Sequence, residues 1–184
     1  MPFYAYAILI VGWMVWVIPF VLAWRGRPRQ AAPTVDRRAR VGVLLVALSY
    51  AILWQTNFWE RPLPPWRAAL SMVCFLLAGA LSWTATRSLG RQWRIDAALN
   101  EDHELITTGP YRVVRHPIYA SMLCLLCASG FVLAPLPLLL AAVIVLILGT
   151  EVRVHIEDRL LEERFGERAR QYRNRVSAYI PFIR

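Results

Sequence analysis

Residues 117–150 read PIYASMLCLLCASGFVLAPLPLLLAAVIVLILGT, a run with no charged side chain. As one helix at about 1.5 Å per residue it would extend roughly 51 Å, against a hydrocarbon core about 30 Å thick, so it must turn back on itself. The turn belongs at APLP, residues 134–137, where Pro135 and Pro137 remove backbone donors and disfavour a continuing helix. The expected structure is a tight helical hairpin with helices over 117–134 and 138–152.

Three other uncharged runs, 1–24, 41–59 and 68–86, reach the roughly 18 apolar residues that spanning requires. With 58% hydrophobic residues in 184, the chain reads as an all-α integral membrane protein. Five transmembrane helices are expected, at about 3–24, 41–59, 67–87, 117–134 and 138–152. Residues 1–24 read as an uncleaved anchor, because no basic segment precedes the apolar run and arginines follow it.

All 21 basic residues counted as lysine or arginine are arginine, most of them at 25–40, at 87–115 and from 153 onward. Five spans put those three segments on one side, which the arginine bias identifies as cytoplasmic, with the amino terminus outside and the carboxyl terminus inside. The formal net charge of +9 then serves orientation and contact with anionic lipid headgroups; the arginines flank spans and form no single basic stripe, which argues against a nucleic-acid partner. Trp24, Trp59 and Trp66 fall at expected span ends, the depth such side chains favour. Cys74, Cys124 and Cys127 fall within spans and read as small apolar packing residues; with no further Cys or His at that depth, no metal site is expected.

The chain divides into membrane helices over 1–87 and a catalytic part over 88–184 that together form one integrated domain. In the connection over 88–110, Trp93 and Leu99 suit the membrane interface. From residue 151, EVRVHIEDRLLEERFGERARQYRNRV continues the fifth helix out of the membrane, with apolar residues at Val152, Ile156, Leu160, Leu161 and Phe165. Gly166 is the expected break, and YIPFIR returns to the interface.

Because the last two spans form a hairpin, the polar stretch GPYRVVRHPIY (109–119) must meet the helix beyond residue 150, and a site is expected there. Pro117 suits a first helical turn, where its missing N–H costs nothing. The helix start beside His116 and Tyr119 favours an anion through its dipole and free N–H groups. Arg153 and Glu157 share a face at i, i+4, in the order that helps a helix less. Taken singly these residues read as interfacial ion pairs. Taken together, Tyr111, His116, Tyr119, Arg153 and Glu157 converge on one depth. His155 reads as a surface or headgroup contact, and His103, on its own, as a solvated loop histidine.

The segments HELITTGPYRVVRHPIY and RVHIEDRLLEERFGERARQYRNRVSAYIPFI, with the hairpin between them, resemble the isoprenylcysteine carboxyl methyltransferase family and its relatives, which include phospholipid N-methyltransferases. The resemblance implies a membrane methyltransferase that takes its methyl group from S-adenosyl-L-methionine and releases S-adenosyl-L-homocysteine. It further implies that His103, Glu104, Leu105, Ile106, Tyr111, His116, Pro117, Ile118, Tyr119 and Glu157 hold that cofactor in a cytoplasm-facing pocket. Arg153 would meet the substrate, and Arg153 and Glu157 would be the catalytic pair. Asp158 stands where the family often has a second glutamate, which leaves the second carboxylate's role open.

The residues accommodate this chemistry. The cofactor's carboxylate suits the helix start, and its sulfonium and ammonium groups suit Glu157 and the tyrosine faces. A carboxylate acceptor needs no general base, only an arginine to place it; an amine acceptor needs a base, for which Glu157 and His116 are the candidates. The expected function is therefore methyl transfer to a lipophilic carboxylate, a small molecule or lipid-tailed substrate entering from the bilayer of a prokaryotic inner membrane. The alternatives are phospholipid or amine N-methylation, a membrane reductase, and a non-enzymatic module that binds headgroups or another membrane protein.

Overall fold

The computed structural model describes residues 2–25, 37–54, 62–92 and 104–181, and their secondary structure is helical apart from one isolated bridge between Val114 and Ser177. Among the described residues six α-helices follow in order: α1 Phe3–Arg25, α2 Arg37–Ile52, α3 Pro65–Leu89, α4 Pro117–Leu133, α5 Leu136–Phe165 and α6 Glu167–Arg175. Of these, α1, α3 and α5 are long and apolar enough to cross a membrane, while the apolar parts of α2 and α4 are shorter.

The hairpin forms where the prolines require it. Ala134 and Pro135 are extended (ψ 152° and 153°), and the Pro135 carbonyl accepts from Leu138 and Leu139 to start a new helix. That helix begins at Leu136, earlier than the expected 138, because Pro137 sits in a first turn where no intrahelical donor is required. The helix α5 then runs unbroken for 30 residues. At about 1.5 Å per residue this is roughly 45 Å, so its last turns project beyond the length a bilayer core needs. Gly166, at φ +56°, ends it, a conformation open to glycine at little steric cost.

The second expected span is displaced. Helix α2 ends at Ile52, where Leu53 and Trp54 bond back to Tyr50 and Ala51 in tight three-residue turns, and 55–59 lie outside the described residues. Trp59, Trp93, Leu99, His103 and the final Phe182–Arg184 are outside them as well. Trp24 and Trp66 are exposed at the end of α1 and the start of α3.

Packing relies on small residues and a few polar ties. The core between α2, α4 and α5 is built from Val46, Leu53, Leu126, Leu133, Leu139, Ala142 and Leu146. Gly42 of α2 and Gly149 of α5 let two backbones touch: a Cβ on either would stand 2.9 Å from the other's carbonyl oxygen. Helix α1 is tied to α4 by Trp13 Nε1 donating to Ser129 Oγ (3.1 Å) and Trp16 Nε1 donating to Ser121 Oγ (3.0 Å). Such bonds have no competing water in an apolar environment and fix helix rotation.

Candidate functional site

The site grows from the turn before α4. Gly109 has φ +61°, and a Cβ there would lie 2.5 Å from Ser88 Oγ, so this glycine lets the chain press against the end of α3. A single 3-10 turn, Gly109–Arg112, buries Tyr111. Residues 113–116 then meet the returning C-terminal segment: the Arg115 N–H donates to Ser177 O (2.9 Å) and the His116 N–H to Ala178 O (2.8 Å). The Arg115 guanidinium reinforces this strap by donating to the carbonyls of Arg173 and Val176. Tyr172 donates to the Tyr111 carbonyl at 2.6 Å, and Tyr179 to Glu151 Oε1 at 2.6 Å. Burial pushes the Tyr172 hydroxyl up from its ordinary range, which keeps it a donor.

Against this frame α5 presents Arg153, Glu157 and Asp158. Asp158 is held by Arg115 at 2.8 Å and faces His116 Nε2 at 2.9 Å. Glu157 faces the other imidazole nitrogen, Nδ1, at 3.4 Å. It also accepts from the Tyr119 hydroxyl (2.5 Å) and pairs with Arg153 (3.2 Å). Arg153 Nε donates to the Tyr119 hydroxyl at 2.6 Å. The result is one chain of contacts, Arg115 to Asp158 to His116 to Glu157 to Arg153, with Tyr119 bridging the last two.

His116 is 8% exposed, so burial alone would lower its pKa from 6.5. Hydrogen bonds to Asp158 and Glu157, with their charges, outweigh burial and raise it to about 9. An imidazole whose two nitrogens both face carboxylate oxygens is an imidazolium at neutral pH, a double donor with no acceptor lone pair. Glu157 is the group best placed to meet a ligand, its side chain 25% exposed against 7%, 10% and 11% for those of His116, Asp158 and Arg153.

The structure thus joins His116, Tyr119, Arg153 and Glu157 in one assembly, with Pro117 and Ile118 supplying the helix start, while Tyr111 is buried in the preceding turn with its carbonyl bonded to Tyr172. It does not join them to Glu104, Leu105 and Ile106. Among the described residues the Glu104 N–H bonds to Gln92 Oε1 (3.0 Å), and no hydrogen bond or ion pair links these three positions to Glu157. His103 lies outside the described residues. His155 is exposed, as expected, and its ring bonds to the Glu151 carbonyl.

The sequence reading gave Arg115 no partner and left the role of Asp158 open. Arg115 lies beside His116 in sequence yet reaches Asp158, and Asp158 is an equal partner of the imidazole. The signal for both was the Arg-His dipeptide facing a Glu-Asp dipeptide across the hairpin. A small cleft of about 10 Å³ between α5 and α6 adjoins them, lined by Arg115, Asp158, Leu161, Glu162, Tyr172 and Arg173. Within that neighbourhood the Arg115 Nε–H is buried without a hydrogen-bond partner among the described residues.

The fold and site define a helical membrane-type protein whose charged assembly closes one end of a two-helix hairpin. The chain belongs to the phospholipid methyltransferase family, whose pattern matches residues 66–168 and so takes in α3, α4, α5 and every side chain of the charged assembly. It is similar to protein-S-isoprenylcysteine O-methyltransferase B of Arabidopsis thaliana, 29% identical over 121 residues that make up 64% of this chain and 61% of that protein. A probable protein-S-isoprenylcysteine O-methyltransferase of Oryza sativa subsp. japonica is 32% identical over 100 residues, 54% of this chain and 51% of that one. The nickel-cobalt-cadmium resistance protein NccN of Alcaligenes xylosoxydans xylosoxydans is 28% identical over 160 residues, 84% of this chain and 72% of that one. The chain spans about three-fifths of the Arabidopsis protein's length and about half of the rice protein's.

Proposed function

We propose that this protein transfers a methyl group from S-adenosyl-L-methionine to a lipophilic carboxylate at the charged end of the α4–α5 hairpin. The observation that carries this reading is the absence of a spare base in the assembly. Both nitrogens of His116 face carboxylates, and both oxygens of Glu157 are engaged by Arg153, Tyr119 and His116. An amine acceptor has to lose a proton, whereas an ionised carboxylate attacks as it stands. Three cations face two carboxylates, so the assembly also carries the sign that attracts an anionic acceptor.

The residues present suit the donor. Glu157, the most exposed of the assembly, meets a cationic sulfonium or ammonium, and the unpartnered Arg115 Nε–H is a buried donor for a carboxylate. When bound, the donor supplies an activated methyl group that needs no further protein nucleophile. What remains for the chain is alignment and exclusion of water. Arg153 holds the acceptor oxygen, Tyr119 and Glu157 hold Arg153, and His116 and Asp158 fix Glu157 from behind. Glu104, Leu105 and Ile106, with His103, are read as further cofactor contacts on the loop before Gly109.

The same reading takes α1 to α5 as five spans, with the amino terminus outside and the arginine-rich ends in the cytoplasm of a prokaryotic inner membrane. Arginine placement and the length of α5 support it. The acceptor then enters from the bilayer and the donor from the cytoplasm.

The test uses purified protein in lipid nanodiscs. Calorimetry with S-adenosyl-L-methionine should show binding, and labelled methyl should appear on a prenyl-tailed thioether carboxylate in a product that base hydrolyses to methanol. A base-stable product on an ethanolamine lipid would replace this reading with N-methylation, and no donor binding would leave a non-enzymatic membrane module.

A further inference from the structure

Arg153 packs beside a residue that has no side chain and lies outside the segment that the methyltransferase family matches. Helix α2 crosses α5 where Gly42 faces Gly149, one turn before Arg153. A Cβ on Gly42 would stand 2.6 Å from Arg153 Cγ and 2.9 Å from the Gly149 carbonyl oxygen. Neither neighbour is a flexible tip. The Cγ atom belongs to the stem of the arginine, and moving it carries Nε away from the Tyr119 hydroxyl and the guanidinium away from Glu157. The carbonyl is backbone, so the other relief is for α2 to lift off α5.

Three other close glycine contacts have no such neighbour. A Cβ on Gly12 would meet the Phe75 ring, one on Gly79 would meet Val15 Cγ1 at 2.7 Å, and one on Gly130 would meet Leu139. Those are apolar contacts, and enlarging them disturbs packing alone. Gly42 lies in α2, ahead of residues 66–168.

We propose that Gly42 is a positioning residue for Arg153, and through it for the carboxylate acceptor: the bare face of α2 is the wall against which the arginine stem is set. The acceptor part rests on the methyl-transfer reading above; the placement of Arg153 does not.

Three measurements on the full chain in nanodiscs test it. In Gly42→Ala, kcat/KM for the prenyl-tailed carboxylate should fall about tenfold or more through a raised KM, while affinity for S-adenosyl-L-methionine changes less than about twofold. Gly79→Ala, a similar clash against valine, should lower thermal stability and leave the acceptor KM as it is. Peptide-resolved labelling with phenylglyoxal should find Arg153 severalfold more reactive in Gly42→Ala than in the wild type, with Arg159 as the internal reference.

Unchanged acceptor KM and unchanged Arg153 labelling in a folded Gly42→Ala protein overturn the proposal. If the wild type transfers no methyl group yet Arg153 labelling still rises in the variant, the methyl-transfer reading fails and the placement of Arg153 by Gly42 stands. Should Gly42→Ala not fold, the Gly42→Ala/Arg153→Ala double variant decides, because alanine at 153 removes Cγ. Recovery of folding supports the proposal; failure to recover assigns Gly42 to backbone packing and overturns it.

Discussion

The two ends of the α4–α5 hairpin handle charge in opposite ways. At the tight turn, Arg67, in the first turn of α3, donates to the carbonyl of Gly130, in the last turn of α4, and to that of its C-cap Ala134. A cation here satisfies the C-cap carbonyl, beyond the helix's own bonds, and opposes the negative end of the dipole. At the other end two arginines and two carboxylates, from α5 and the loop before α4, lock around one imidazole. Capping a helix needs one side chain. The extra charges cost desolvation that apolar residues would avoid, and the proposed methyl transfer is what would account for them.

Removing Glu157 should separate the two ends most sharply. Glu157→Gln keeps the shape but leaves Arg153 and His116 facing a neutral amide. Methyl transfer should fall about 100-fold or more, the size expected when roughly 3 kcal/mol of transition-state positioning is lost. Affinity for S-adenosyl-L-methionine, read by calorimetry, should weaken with it. If both survive within about twofold, the charged end is only a larger version of the Arg67 cap.

Stability should depend on pH at the charged end alone. His116 titrates near 6.5 in the unfolded chain and at about 9 in place, so the folded state favours the protonated ring. That contribution, on the order of 3 kcal/mol, is complete below pH about 6.5, declines as pH rises and is gone above about 9. Thermal midpoints in detergent should fall across that window in the wild type, and His116→Asn should flatten the profile. Retention of the slope in His116→Asn would assign it to another group.

Arg67→Leu attacks the opposite end. It should cost about 1–3 kcal/mol, chiefly from the buried Ala134 carbonyl losing its donor. Methyl transfer per folded molecule should stay near the wild-type value. A large loss of turnover in protein that remains folded would mean that the two ends are coupled along the hairpin.

Most of this frame was legible in the sequence because its causes are local. An uncharged run too long for one span, interrupted by Pro135 and Pro137, has to fold back, and Pro117 after His116 has to start a helix. The meeting of Tyr119 with Arg153 and Glu157 follows from that topology. The partners of His116 did not follow as directly, since the reading weighed Glu157 and left Asp158 open. Whether one carboxylate or two reaches an imidazole depends on helix rotation, which the contacts of α5 with α2 and α4 determine. The early end of α2 at Ile52 was missed because continuous apolarity does not mark a helix end when the closing turn is made by apolar residues, here Leu53 and Trp54. The strap from Val176 to Tyr179 had only its terminal aromatic and apolar residues as a signal. Its backbone pairing to Arg115 and His116 links positions some sixty residues apart, a separation no local propensity encodes.

That strap gives the smallest expected effect and the finest probe of the charged end. Tyr179→Phe removes only the bond to Glu151, and burial pushes the Tyr179 hydroxyl up from its ordinary range, which keeps it protonated and donating. The loss should be about 1 kcal/mol or less. The Ser177 and Ala178 carbonyls still hold the Arg115 and His116 amides, so the thermal midpoint should move little and turnover should hold. Exchange is more sensitive, because those two amides open with the tail and not with the hairpin. Their hydrogen exchange, resolved by mass spectrometry, should quicken by up to about fivefold while amides within α4 and α5 keep the wild-type rate. Quickening throughout α4 would show that the tail braces the whole hairpin; quickening confined to residues 114–116 would show that it braces only the imidazole and the arginine on which the carboxylates converge.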